Sequence, residues 1–202
     1  MGRLLKTSEG FDLACKALEL GHEIGNHSYT HPQFSKISIN DAKEEIERTG
    51  EIIDKLYAKY NRKNHKLFRF PYGDSGYFIE SDESVIGDKK KKKEIEEFLE
   101  KEGYTTYFWD RDSEDWKNYS KKDHREIDEI MKIVSKTKEE EVVLMHELPL
   151  TSKYIIPFYT SSQNYNLKTL VDRDKKEIEK DFYTIYTMCT YEGEKHEFWD
   201  KN

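Results

Sequence analysis

Segments with apolar residues at helical spacing alternate along this sequence with short apolar runs that stop at a polar residue. That alternation restricts the chain to parallel β-α-β architecture, because parallel neighbours need a crossover and a helix is the usual one. Phe11 to Leu20 carries Phe11, Leu13, Ala14, Ala17 and Leu18 at helical spacing, with Gly21 as its stop. A long helix is predicted from about Asp41 to Tyr60, with Ile46, Ile53, Leu56 and Tyr57 as its stripe and Ser38 or Asn40 as its cap. Leu67 to Phe70 reads as a short strand ended by Pro71 and Gly73. Helical spacing returns from Glu94 to Glu102, and Tyr104 to Trp109 is rich in β formers. A helix over about Asp123 to Lys136 then precedes a buried strand, Val142 to Met145, that ends at His146.

Residues 74–93 are polar, punctuated by glycine and without period, which predicts a surface insertion. Near the C-terminus, Leu167 to Val171 and Phe182 to Cys189 both read as the last strand, and the sequence does not choose between them. Polar residues at the C-terminal ends of strands fit a barrel-type α/β fold, whose loops at that face carry chemistry.

Composition narrows the partners. At 202 residues the chain is long enough for one domain with a sizeable core. Charged residues make up 37% and hydrophobic ones 35%, so 14 Tyr, 10 Phe and 3 Trp must supply much of the buried area. A net charge of −7 offers no field for nucleic acid, and the lysine run from Lys89 to Lys93 reads as a solvated loop entering a helix. The sequence has no run of about 18 apolar residues, which predicts no membrane span. The two leucines near Met1 are too short for a signal peptide. Cys15 and Cys189 match no close-spaced metal motif and leave the redox compartment open.

Four short motifs carry the chemistry. The first, His27-Ser28-Tyr29-Thr30-His31-Pro32, sets two histidines four apart; on one face of a helical turn they can share a metal ion. In Arg69-Phe70-Pro71-Tyr72-Gly73, proline and glycine fix a turn. Asp112-Ser113-Glu114-Asp115-Trp116 is a charged loop with one Trp, and Leu144-Met145-His146 ends a strand on a histidine. Each has a bland reading by itself.

Together and in this order they resemble the polysaccharide deacetylase family (NodB homology, carbohydrate esterase family 4), over about Gly2 to Val171. The resemblance implies an α/β fold, a distorted (β/α) barrel, here incomplete because the first strands are missing. It implies one partial deacetylase domain over 1–171, with 172–202 an extension or the last strand of that domain. His27 and His31 would hold one divalent metal, zinc or cobalt. His146 would act as general acid, Asp115 would hydrogen-bond and charge-stabilise it, and Arg69 would orient the catalytic base. The Tyr72 backbone N–H would donate to the oxyanion, while Trp116 and Leu144 would line the acetyl groove.

The family's first motif, Thr-Phe-Asp-Asp-Gly, supplies the base and a third metal ligand and is missing here. Asp12 is the only aspartate before His27 and lies in a helical pattern. The expectation is an N-terminally truncated metal-dependent deacetylase acting on an N-acetylated glycan of chitin or peptidoglycan type, with little or no activity as this chain. The alternatives are a non-catalytic glycan-binding descendant and an O-acetyl carbohydrate esterase. Full-length members of the family are expected outside the cell or in its envelope. Subsite loops decide between chitin, peptidoglycan and xylan, and the sequence does not.

Overall fold

A computed structural model describes residues 1–79, 83–161, 165–168 and 183–190, which fall into two compact units divided between Phe108 and Trp109. No helix among the described residues is long and apolar enough to cross a membrane.

The first unit opens with the short helix α1 (Gly2–Leu5) and α2 (Ser8–Glu19). The Thr7 side chain accepts from the Gly10 N–H and caps α2. Ala14, Cys15 and Leu18 of α2 pack on Ile53, Leu56 and Tyr57 of α3 (Ile39–Lys59). Of the two predicted caps for α3, Ser38 holds the position: its hydroxyl accepts from the Asp41 N–H, and the Asp41 carboxylate accepts from the Ser38 backbone in return. The other face of α3 meets a second cluster, where Phe34, Phe68 and Phe70 pack edge to face with Ala42, Ile46, Ile95 and Leu99.

Strand β1 (Leu67–Phe68) is the short strand the sequence predicts, and it pairs in parallel with β4 (Thr105–Thr106). The segment 74–93 differs from its prediction. It contains an antiparallel hairpin, β2 (Tyr77–Ile79) against β3 (Val85–Gly87), and then enters α4 (Lys89–Lys101) five residues earlier than the apolar period shows. The cause is local. Asp88 caps the helix through the Lys91 N–H at 2.7 Å, and the lysine run forms its first turns. Lys90, Lys92 and Lys93 each face a glutamate four residues on, at 3.5–3.8 Å. Beneath this helix the buried Asp74 carboxylate accepts from the Ser35 N–H at 2.9 Å and the Ser35 hydroxyl at 2.5 Å.

The second unit is one parallel sheet with helices. It contains β5 (Arg111–Asp112), α5 (Ile127–Val134), β6 (Val142–His146), a π-turn at Thr151–Ile155, α6 (Ile156–Ser161), β7 (Tyr165–Lys168) and β8 (Tyr183–Thr190). Helix α5 is shorter than predicted at both ends. Its capping box, Glu126 with Glu129, sets the start at Ile127. The sheet order is β5-β6-β8-β7, so both C-terminal candidates contribute strands and the later one lies between β6 and β7. Residues 169–171 and Phe182 of those two predictions lie outside the described residues. Strand β6 is buried along its whole length, which explains its unbroken apolar run. Val143 and Met145 pack on Ile130, Val134, Leu150, Ile155 and Tyr159. Arg111 fixes the strand edge by a two-pronged pair to Glu141, at 2.6 and 2.8 Å.

Candidate functional site

The histidine segment is tied to the edge of β1 before it turns. Asn26 forms a parallel bridge with Phe68, donating its N–H to Leu67 O at 2.8 Å and accepting from the Arg69 N–H at 3.0 Å. The helical turn predicted for His27 and His31 does not form. Ser28 and His31 both adopt left-handed backbone, with φ of 63° and 69°, and the chain doubles back as a loop. The loop nevertheless brings the two imidazoles together. The two Nε2 atoms lie 3.1 Å apart and both rings are buried.

The protonation of His27 follows from its partners. Its Nδ1 lies 2.7 Å from the Arg69 carbonyl oxygen, which only accepts, so Nδ1 carries the hydrogen and Nε2 the lone pair. Burial, and then the positive charge of Arg69 and the neighbouring His31, push its pKa well below the usual histidine range. A neutral imidazole with a fixed tautomer is the form that ligates a metal. The buried Arg69 guanidinium reaches within 3.4 Å of the same Nε2. Tyr72 is itself left-handed, at φ 57°, and its half-exposed ring stands edge-on to His31 with centroids 4.6 Å apart. Among the described residues no group of three His, Cys, Asp or Glu side chains could hold a metal, and Asp12 is exposed on α2.

The second unit builds a cluster around Asp115, which is fully buried. One carboxylate oxygen accepts from His146 Nδ1 at 2.6 Å and the Trp116 N–H at 2.9 Å. The other accepts from the His146 N–H at 2.7 Å and the Thr151 hydroxyl at 2.5 Å. Four donors thus fix the carboxylate, and the carboxylate fixes the ring and tautomer of His146. Upstream, Asp112 accepts from the Glu114 N–H at 2.8 Å, and burial raises its carboxyl above the usual range. Glu114, at φ 58°, turns the chain into Asp115. Trp116 is 36% exposed and Leu144 is buried in β6.

Three contributors went unread in the sequence. Thr151 follows Pro149 and Leu150 and carries no local signal of a role. Asn26 reads only as a turn residue, yet its side chain spans from Ser28 N–H to Ile46 O. Glu45 is one of many acidic residues on α3, and only the fold brings it to the histidine loop.

The sequence model of the polysaccharide deacetylase family matches residues 6–108, and the chain belongs to that family. It is 27% identical over 137 residues to a peptidoglycan-N-acetylmuramic acid deacetylase of Bacillus subtilis, covering 68% of this chain and 23% of the relative. To a peptidoglycan-N-acetylglucosamine deacetylase of Bacillus cereus it is 28% identical, covering 50% of this chain and 29% of the relative. The chain therefore spans less than a third of the length of these curated relatives. A family 4 carbohydrate esterase from Streptomyces lividans, solved with acetate, superimposes with a TM-score of 0.54 at 28% identity, covering 74% of this chain and 65% of the other. A family 4 pseudoenzyme from Bacillus anthracis, at 21% identity, covers 93% of this chain and 51% of its own, with a TM-score of 0.58. That last likeness is one of fold. The fold class is the α/β NodB type.

Proposed function

We propose that the chain carries the machinery of a metal-dependent deacetylase acting on N-acetylated glycans of the cell envelope, of peptidoglycan or chitin type. The observation that carries this reading is the convergence of the His27 and His31 Nε2 atoms at 3.1 Å in a buried loop. Two imidazoles so placed would suit two donors of a zinc or cobalt ion, and among the described residues no third His, Cys, Asp or Glu side chain joins them. A divalent ion there would supply Lewis-acid activation of the acetyl carbonyl and of water.

The chain's own residues do the rest. Arg69, buried beside His27, is assigned to orient the catalytic base. The Tyr72 backbone N–H is assigned to the oxyanion formed when the acetamide carbon becomes tetrahedral. His146 donates a proton to the departing amine, and Asp115 holds its Nδ1–H so that Nε2 performs the transfer. Trp116 and Leu144 are assigned to the acetyl groove.

No described carboxylate joins the histidine pair, and this observation favours a second reading, a glycan-binding descendant that has lost hydrolysis. An esterase acting on O-acetyl sugars would use the same groups. The test is acetate release from N-acetylglucosamine oligomers and from acetylated xylan, with added zinc or cobalt. Three chains are compared: the 202-residue chain, a version extended by a Thr-Phe-Asp-Asp-Gly segment, and the His146→Ala variant of that extended version. Release from the extended chain that His146→Ala abolishes supports the deacetylase. Glycan binding without release from any of them supports the second reading.

A further inference from the structure

We propose that Glu45 is a positioning residue for the histidine pair, an inference that rests on the metal reading above and assigns the control of that site to helix α3. Glu45 lies in the second turn of α3, and its carboxylate reaches across to the loop between the two histidines. One oxygen accepts from the Tyr29 N–H at 2.8 Å and the Thr30 N–H at 2.7 Å; the other accepts from the Thr30 hydroxyl at 2.8 Å. Consecutive amides turned toward one anion form a nest, and here the anion belongs to the protein.

The loop needs such a template. Ser28 and His31 are both non-glycine residues with left-handed backbone, at φ 63° and 69°. Such residues persist only where the surroundings hold them there. The loop's own bonds fix its two shoulders. The Asn26 side-chain oxygen accepts from the Ser28 N–H at 3.0 Å, and the Ser28 hydroxyl from the His31 N–H at 3.0 Å. Both are short-range contacts that leave the apex, Tyr29 and Thr30, to be placed from outside. Glu45 holds both apex amides from one rigid helix, while Arg48, one turn further on, lays its guanidinium 3.8 Å over the Tyr29 ring. The spacing of the two Nε2 atoms follows from the shape of this apex, so the carboxylate acts on the metal through backbone and touches neither imidazole.

The experiment measures zinc binding by calorimetry on the whole chain and on Glu45→Ala, Glu45→Gln, Glu44→Ala and His27→Ala. Amide hydrogen exchange at Tyr29 and Thr30 is followed in the metal-free proteins. Outer partners of ligating histidines typically set affinity by about 10–100-fold. Glu45→Ala is expected to weaken zinc about tenfold or more and to speed exchange at both amides. Glu45→Gln keeps an oxygen for the two amides and an NH2 for the Thr30 hydroxyl, so it is expected to stay within about threefold of wild type. Glu44 is exposed and paired with Arg48, so its removal tests for loss of charge alone and is expected to change little. Equal zinc affinity in wild type and Glu45→Ala, with thermal stability lowered, would make Glu45 merely structural and overturn the inference while leaving the metal site standing. Equal weakening by Glu45→Gln and Glu45→Ala would overturn it too, since charge and not placement would then be the cause. A wild-type chain that binds no zinc, or binds it as well without His27, overturns the metal reading and this inference together.

Discussion

Asp115 shows how much one side chain can be asked to do. Its carboxylate satisfies two backbone amides, a ring nitrogen and a hydroxyl in a place without solvent. Truncation to alanine orphans all four donors, and Asp115→Ala is expected to cost about 3–5 kcal/mol in urea unfolding of the second unit. Thr151→Val removes one donor and keeps the shape, so about 1 kcal/mol is expected. A loss larger for Thr151→Val than for Asp115→Ala would contradict the geometry. Glu141 gives a pH signature in the same unit. Burial raises its carboxyl, but the hydrogen bonds and charge of Arg111 outweigh burial and set it below its ordinary 4.5. A depressed carboxyl contributes stability that is present above its unfolded value and is lost as pH falls through its folded one. The stability difference between wild type and Glu141→Gln is therefore expected to be constant near neutrality and to shrink below about pH 4.5. A difference that grows on acidification would reverse the sign and refute the pairing.

Elements differ in how openly they announce themselves. The long helix α3 was legible because its stripe is regular and Ser38 with Asp41 forms a capping box. The Ser38→Ala change is expected to cost about 1 kcal/mol by thermal or urea unfolding. The hairpin of β2 and β3 was not legible, since each strand is only three residues and its pattern is too short to repeat. Its requirement appears at Gly87. There φ is 75° and an added Cβ would fall 2.0 Å from the Gly76 carbonyl oxygen, a contact no side chain can relieve. Gly87→Ala is expected to lower stability by about 2 kcal/mol or more, against the small gain alanine brings at an unstrained glycine. The candidate site divides in the same way. Its histidines, Asp115, Arg69 and Tyr72 were readable as motifs. The loop's left-handed turns were not, because Ser28 and His31 are residues that seldom adopt them, and Glu45 and Thr151 each reach their own cluster only through tertiary structure.

At the scale of the molecule, the metal reading makes a plain demand. His27→Ala is expected to bind zinc far more weakly than wild type by calorimetry, and even wild type is expected to bind weakly with two protein donors. The unextended chain is expected to release little or no acetate, because loss of a general base alone typically costs about 10²–10⁴-fold. Acetate release equal to that of the extended version would show that the base lies among the residues present. Strand order adds a constraint of another kind. Strand β7 pairs with β8 and not with β6, so a chain ended after residue 171 is expected to lose the cooperative unfolding of the second unit. The same order sets a timetable during synthesis. Residues 165–168 leave the ribosome before the strand that must pair with them has emerged, and at roughly 5–20 residues per second that wait lasts on the order of one to a few seconds. For that interval a nascent β edge stands open to whatever strand or chaperone is nearest, and the latest-made piece of the sheet is the one that closes it.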